Sequence, residues 1–427
     1  MKTEDTDTTS RHAAPGGGNP DAGPAPAFAS LVTEVARRFD ERIVTASLPV
    51  YRASTVLFDS LAQADAAGRA TGAGARHAST YGTAGTPTTF ALMDALAEVE
   101  GRGHACRAAL MPSGLSAITT ALFAYAKTGD HVLMPDSVYG PARAFAQGML
   151  AGLGVQTTFY DPRVGAGIEA LIRPNTRVVY LESPGSYTFE VQDVPAICEV
   201  ARRHGAVSMI DNAWASPVFA RPFDWGVDVS ILPLTKYWSG HADTLMGAVV
   251  VREPLWQALW DAERQLGICV GGDDAFMILR GLRTVDVRMR RHEASGLQVA
   301  RWLEQRPEVA RVLHPALESH PDHALWKRDF DGACGLFSFE LRRDALPADA
   351  AGLERAMAAL CERRRFFRIG YSWGGFESLI VPGRIASIRT ARPWTGGPLV
   401  RLHIGLEDPA DLIADLEAGL AAMRAVA

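Results

Sequence analysis

Few side chains in this sequence combine reactive chemistry with an apolar setting, and the clearest is a lysine. Lys236 is the single lysine in the run SILPLTKYWSGHADTLMGAVVV, Ser230 to Val251, among apolar, hydroxylic and small residues. Lysine is rarely buried without a partner. Burial lowers its pKa and makes it a nucleophile and a base. Two further features share its setting. Asp211 closes the apolar run AVSMIDN, and Ser113-Gly114-Leu115-Ser116 joins the apolar run CRAALMP to the helical pattern LSAITTALFAYAKTG. A helix N-terminus with small side chains offers free backbone N–H groups and a positive dipole, which suits a phosphate. Thr235, beside the lysine, adds a hydroxyl.

Taken singly, each feature has a plain reading: a turn, a helix or strand cap, a lysine whose end reaches solvent. Taken together, they are what pyridoxal 5′-phosphate needs. That cofactor requires a phosphate cradle, a carboxylate to keep its ring nitrogen protonated, and a lysine to form an imine. An imine lysine is uncharged, which explains how a chain tolerates one in its core.

The elements that place these residues read as an alternation of helices and strands. PTTFALMDALAEVEG has helical spacing of Phe90, Leu92, Leu96 and Val99, with Gly101 as a stop. DHVLMPD and TRVVYLESP read as strands, and Asp193 to His204 as a helix. AVSMIDN, VDVSILPLT and GAVVV read as further strands, with Lys236 ending the second of them. Near-continuous apolar strands between helices predict a mostly parallel sheet covered on both faces. Ligands of such sheets sit at the carboxyl ends of the strands, where Ser113, Asp211 and Lys236 fall. Near residue 282 the character changes. A long helix runs from about Val285 to Gln305, CGLFSFEL and LVRLHIGL alternate like strands of a second sheet, and DPADLIADLEAGLAAMRA is the last helix.

Composition narrows the function classes. The chain has 427 residues, of which 48% are hydrophobic, enough for more than one core. Its net charge of -5 argues against nucleic acid as a partner. Its 5 cysteines have no metal or redox spacing, which fits a reducing, cytoplasmic setting. No apolar run is long enough for a membrane span. His320 and His323 lack a third ligand and give no metal site. No G-x-G-x-x-G is present for a nicotinamide. The tryptophans Trp238, Trp256, Trp260 and Trp326 read as packing.

At this point the chain resembles the cystathionine β-lyase branch of the Cys/Met-metabolism pyridoxal-phosphate enzymes. The resemblance runs from about residue 45 to the end. It rests on TKYWSGHADTLMG, YLESPGS, MIDNAWAS, LRGLRT, HPAL, WKRDFDGACGLFSFEL, YSWGGFESL and LVRLHIGLEDPADLIADL. It implies an aminotransferase-like α/β fold of type I, with a large, mostly parallel seven-stranded sheet domain and a smaller C-terminal α+β domain. The expected divisions are an N-terminal extension without fixed structure (1–44), an arm serving a neighbouring subunit (45–85), the cofactor domain (86–282) and the C-terminal domain (283–427).

The resemblance also implies roles. Lys236 would form the imine with the cofactor and move the substrate Cα proton. Asp211 would pair with the ring nitrogen, and Tyr139 would stack on the ring. Ser113, Gly114, Leu115 and Thr235 would hold the phosphate. Tyr81 would reach the neighbouring subunit's cofactor in a homotetramer built as a dimer of dimers. Arg401, with Tyr371, Ser372 and Trp373, would bind the substrate α-carboxylate, which a guanidinium fork grips bidentately. The implied reaction is β-elimination from L-cystathionine, or another S-substituted L-cysteine, to a thiol, pyruvate and ammonia. With cystathionine that is a step of trans-sulfuration toward methionine. γ-Elimination or γ-replacement is the alternative within the family, and a non-catalytic regulator or scaffold is the alternative outside it.

Two positions depart from the family. The arginine expected two residues after Tyr81 is Thr83, and the next, often also arginine, is Ala84. A serine expected three residues before the lysine is Pro233, which has no N–H or hydroxyl to donate. The site mouth thus lacks two cations. Arg76, five residues before Tyr81, is the nearest candidate to replace them.

Overall fold

The computed structural model describes residues 26–36, 45–385 and 388–426. A seven-stranded sheet forms the larger layer: β1 (Cys106–Met111), β2 (His131–Pro135), β3 (Gln156–Tyr160), β4 (Thr176–Glu182), β5 (Val207–Asp211), β6 (Val229–Leu232) and β7 (Gly247–Arg252). Their order is β1-β7-β6-β5-β4-β2-β3, and β7 is antiparallel to both neighbours. Alternation sends successive side chains to opposite faces. Val178 and Tyr180 of β4 join a core with Ala117, Ile118 and Leu122 of the helix Gly114–Tyr125. Val179 and Leu181 join Val194, Ile197 and Ala201 of the helix Val194–Arg203 on the other face. Both faces are covered, so the strands are apolar at nearly every position, as the sequence pattern predicts.

The smaller layer is an antiparallel sheet of β8 (Val309–Leu313), β9 (Leu336–Leu341), β10 (Leu379–Gly383) and β11 (Leu399–His403), in the order β10-β11-β9-β8. Phe337, Phe339, Val400 and Leu402 pack against residues of the helices Val285–Glu304, Ala350–Cys361 and Pro409–Arg424. Arg401 stands between Val400 and Leu402, and the pleat turns it to the opposite face, toward the larger sheet.

Two expectations change. The strand VDVSILPLT ends at Leu232, so Lys236 sits in a turn beyond it rather than at a strand end. Pro233 cannot donate to a ladder. The chain folds back instead, with the Lys236 N–H on the Pro233 carbonyl at 3.0 Å and the Gly240 N–H on the Lys236 carbonyl at 2.9 Å. Most of the extension expected without fixed structure at 1–44 lies outside the described residues. The part that is described contains a helix, Phe28–Glu34, with Val32 buried. Arg283 bonds the carbonyls of Val32 and Val35 at 2.9 and 2.7 Å, which ties that segment to the body of the chain.

Candidate active site

The carboxyl ends of the parallel strands converge on a cavity of about 600 Å³. Its walls include Ser113, Gly114 and Leu115 after β1, Tyr139 after β2, Asp211 at the end of β5, and Thr235 and Lys236 after β6. The second sheet closes it with Tyr371, Ser372, Trp373 and Arg401. The structure therefore brings together every residue to which the family resemblance gave a role in the site except Tyr81. Tyr81 is 51% exposed and lies off this cavity, bridged to Thr55.

Lys236 Nζ donates to Ser372 Oγ at 2.6 Å and lies 5.0 Å from the centre of the Trp373 ring. Burial and the positive field of Arg401 lower its pKa to about 8, against an opposing pull from Asp211. The loop carrying Ser372 is bent through two left-handed residues, Ser372 (φ 75°) and Gly374 (φ 88°). A Cβ on Gly374 would stand 2.8 Å from the Tyr237 nitrogen and 2.9 Å from the Lys236 carbonyl carbon. Only glycine lets this loop press on the lysine turn. His403 holds the loop from below: its Nε2 lies 3.2 Å from the Gly374 N–H and 3.1 Å from the Gly375 carbonyl.

Asp211 is buried, and its Oδ1 accepts the Ala213 N–H at 3.0 Å. Its register partner on β4 is Glu182, also buried. Burial pushes both carboxyls above the usual carboxylate range, and Glu182 is raised further by the charge of Asp211. Glu182 accepts the Tyr139 N–H at 2.7 Å and the Ser186 hydroxyl at 2.8 Å. Nothing in the spacing of the sequence singles Glu182 out. Its signal is that YLESP ends an apolar strand in a carboxylate, as MIDN does one strand later.

Arg401 is largely buried, which lowers its pKa, and its guanidinium lies 5.0 Å from the centre of the Tyr187 ring. Its Nη2 reaches the Ser372 carbonyl at 3.4 Å. Tyr187, like Glu182, is a cavity residue that the sequence reading missed.

The helix Gly114–Tyr125 opens with Ser113 as its cap, the Ser113 hydroxyl accepting the Ser116 N–H at 3.1 Å. A Cβ on Gly114 would come within 2.9 Å of the Pro233 side chain, so glycine and proline fit each other at this corner. Thr235 is engaged locally, its hydroxyl donating to the Met246 carbonyl at 3.2 Å and accepting the Met246 N–H at 3.0 Å. Arg76 bonds Asp94 at 3.1 Å and the Cys106 carbonyl at 3.3 Å and is absent from the walls of this cavity.

Residues 29–421 match the family described as Cys/Met metabolism PLP-dependent enzyme. The chain belongs to that family. A Rhizobium johnstonii protein is 51% identical over 379 residues, covering 88% of this chain and 92% of its own. The cystathionine beta-lyase MetC of Escherichia coli is 43% identical over 378 residues, covering 87% of this chain and 92% of its own. Among solved structures, the cystathionine gamma synthase of Xanthomonas oryzae pv. oryzae, in complex with aminoacrylate and cysteine, has a TM-score of 0.82 at 30% identity. That match covers 95% of this chain and 100% of the other.

As a member of the Cys/Met-metabolism family, the chain is a pyridoxal-phosphate-dependent enzyme with the type I fold. The cavity fits the cofactor. Two carboxyls, Glu182 and Asp211, are buried side by side, and burial raises the pKa of each, so a cationic group beside them would be favoured. A cofactor with a protonated ring nitrogen would meet that requirement, with Asp211 as the residue to hold it. The capped helix start at Ser113 faces the same space with unpaired N–H groups at Gly114 and Leu115. Among the described residues no cluster of metal-binding side chains occurs, and no helix is long and apolar enough to cross a membrane.

Proposed function

We propose that this enzyme is a carbon–sulfur β-lyase acting on S-substituted L-cysteines, with L-cystathionine as the leading substrate. The reaction consumes water and releases a thiol, pyruvate and ammonia. With cystathionine the thiol is homocysteine. The observation that carries the reading is the triad of Lys236, Ser372 and Arg401: an amine with lowered pKa, hydrogen-bonded at 2.6 Å to a loop whose carbonyl meets the carboxylate-binding arginine.

Bound pyridoxal phosphate supplies the electron sink that makes the substrate Cα–H acidic. The chain's own residues do the rest. Arg401 grips the α-carboxylate as a fork, with Trp373 and Tyr371 shaping the approach. That fixes Cα within reach of Lys236 Nζ. Lys236 is neutral often enough near pH 8 to take the Cα proton, and Ser372 orients its lone pair. Asp211 holds the proton on the ring nitrogen, and Glu182 fixes the Tyr139 backbone so that its ring can cover the cofactor. Ser113, Gly114, Leu115 and Thr235 face the phosphate end. Residues 45–85 form the arm that carries Tyr81 to a neighbouring copy in a homotetramer. The cofactor domain takes 86–282 and the C-terminal domain takes 283–427.

The test is a panel of cystathionine, cystine, cysteine and S-alkyl cysteines, with pyruvate and the released thiol measured separately. Pyruvate and homocysteine from cystathionine are expected. Cysteine and a four-carbon keto acid from the same substrate would assign γ-elimination. No turnover of any thioether would overturn the proposal.

A further inference from the structure

A second cavity, of about 190 Å³, lies apart from the catalytic one and shares no wall residue with it. Four guanidiniums line it, those of Arg163, Arg311, Arg389 and Arg392, against one carboxylate, Glu190. Three of the four are tied to acids outside the walls. Arg163 pairs with Asp322 through Nε and Nη2 at 2.6 and 2.9 Å, Arg311 Nε with Glu340 at 2.5 Å, and Arg392 Nη1 with Asp161 at 2.8 Å. Arg389 is buried and pairs with Glu190 at 2.8 Å and with the Thr188 hydroxyl.

The forks still have nitrogens to spare. Among the described residues, Arg163 Nη1, both Nη atoms of Arg311, and Nε and Nη2 of Arg392 have no hydrogen-bond partner. Donors already fixed by other partners need little further ordering to bind a ligand. The outer acids offset much of the positive field, so the site discriminates by the number and placement of donors rather than by net charge. A tetrahedral oxyanion, with acceptors on every side, uses several forks at once.

Glu190 refines the choice. Burial works against its charge, yet Arg389 and Thr188 hold its carboxyl below the usual range, so it is ionised at neutral pH. Its Oε1 accepts one bond, from Arg389, and has a lone pair left. A carboxylate in the wall repels a fully deprotonated dianion unless a proton lies between them. Hydrogenphosphate carries that proton on one of its oxygens, and sulfate does not.

The cavity also lies where the two sheets are joined. Arg311 belongs to β8, and Arg389 and Arg392 belong to the strap that leads into β11. The N–H groups of Thr390, Ala391 and Arg392 in that strap donate to Asp136, three residues before Tyr139.

We propose that this cavity is a binding site for inorganic phosphate, held by the free edges of Arg163, Arg311 and Arg392 and donating its O–H to Glu190. The bound ion braces the strap against β8.

Isothermal titration of the full-length holoenzyme, saturated with cofactor, tests this at pH 8 and fixed ionic strength. Inorganic phosphate should bind once per chain and raise the melting temperature. Its affinity should fall tenfold or more in Arg311→Gln and in Arg392→Gln, whose side chains are 48% and 44% exposed in the wild type. Sulfate and methyl phosphate have no O–H at this pH and should bind at least tenfold more weakly. Arg401 offers a competing oxyanion site, so Arg401→Gln is the control, and phosphate affinity should be unchanged in it. Binding lost in Arg401→Gln and kept in Arg311→Gln would put the ion in the catalytic cavity and overturn the proposal. Neither heat nor a melting shift beyond that of equal chloride would also overturn it. Sulfate bound as tightly as phosphate would overturn the part given to Glu190 and with it the assignment of phosphate.

Discussion

The pKa of Lys236 is the quantity on which the chemistry turns, and it can be measured directly. Burial and Arg401 bring it from an ordinary 10.5 to about 8. At pH 7 an amine of pKa 8 is neutral in about one molecule in ten, against about one in three thousand at 10.5, so the site gains about 300-fold in reactive amine. The perturbation is Arg401→Gln, which removes a positive field and should raise the Lys236 pKa; Asp211→Asn removes an opposing charge and should lower it. The assay is competitive labelling of the cofactor-free chain with an amine reagent from pH 6 to 11. Peptide mass spectrometry reads Lys236, and exposed Lys127 serves as the internal standard. Titration of Lys236 together with Lys127, or a wild-type value unmoved by Arg401→Gln, would refute the electrostatic account.

The same shift has a stability consequence of definite sign. The folded lysine binds its proton less well than the unfolded one, so the folded chain carries fewer protons between about pH 8 and 10.5. Stability of the cofactor-free chain is therefore gained as pH rises through that window, by about 3 kcal/mol at ~1.4 kcal/mol per pKa unit. Asp211 and Glu182 act in the opposite sense, since their raised values let the folded chain hold protons that the unfolded chain has already released.

Three substitutions test individual roles. Lys236→Ala should shift the bound cofactor's visible absorbance to that of the free aldehyde and abolish elimination; comparable turnover would remove Lys236 from the mechanism. Asp211→Asn should retain cofactor but slow Cα proton removal about tenfold to a hundredfold, the value of one charge-assisted hydrogen bond of about 1.5–3 kcal/mol; a Cα-deuterium isotope effect on kcat measures it, and an unchanged rate refutes it. Glu182→Gln keeps one acceptor and loses the other, so the Tyr139 turn loosens; the cofactor dissociation constant should rise about threefold to tenfold for a bond of about 0.5–1.5 kcal/mol, checked by equilibrium titration.

Periodicity made the larger sheet legible because its strands are buried on both faces. Val178 to Glu182 could hardly read otherwise. The strands that escaped notice are β3, β8 and β10, each poor in signal for a physical reason: β3 is an edge strand with an exposed start, β8 exposes two of its five residues, and β10 carries Pro382. The candidate site was legible where a reactive residue closes an apolar run, as at Asp211. It was misplaced by a few residues at Lys236, since an apolar tail continues past the true strand end at Leu232. Arg401 came only through family resemblance, because one arginine between two leucine-type positions says which face it occupies and nothing about what it meets. Glu182 stands out only through a neighbour distant in the chain, Asp211, and sequence spacing does not encode such proximity.

The two sheets must also be held in register, since Lys236 and Asp211 come from one and Ser372 and Arg401 from the side of the other. Asp136, just past the end of β2, supplies the clamp. Its carboxylate accepts the backbone N–H groups of Thr390, Ala391 and Arg392 at 3.0, 3.0 and 2.8 Å, and it pairs with the Arg143 guanidinium. Burial works against this charge, yet the N–H groups of Thr390 and Arg392 and the cation of Arg143 hold its pKa below the usual range. Tyr139 follows three residues later and is fixed from the other side by Glu182. The turn that carries Tyr139 is thus gripped by the loop leading to β11, the strand of Arg401. Asp136→Asn leaves one oxygen to accept what two now receive and removes the charge. Losing two charge-assisted bonds of about 1.5–3 kcal/mol each predicts a loss of about 3–6 kcal/mol, seen as an earlier urea midpoint. Because the folded pKa is depressed, this contribution is present above the ordinary carboxylate range and fades as pH falls through the lower folded value, so wild type and variant should converge in acid. In the folded variant at neutral pH, cofactor affinity and substrate KM should worsen together, since Tyr139 and Arg401 lose their common anchor. A variant with wild-type midpoint, or one in which only cofactor affinity changes, would show that Asp136 stabilises the Tyr139 turn without coupling it to the second sheet.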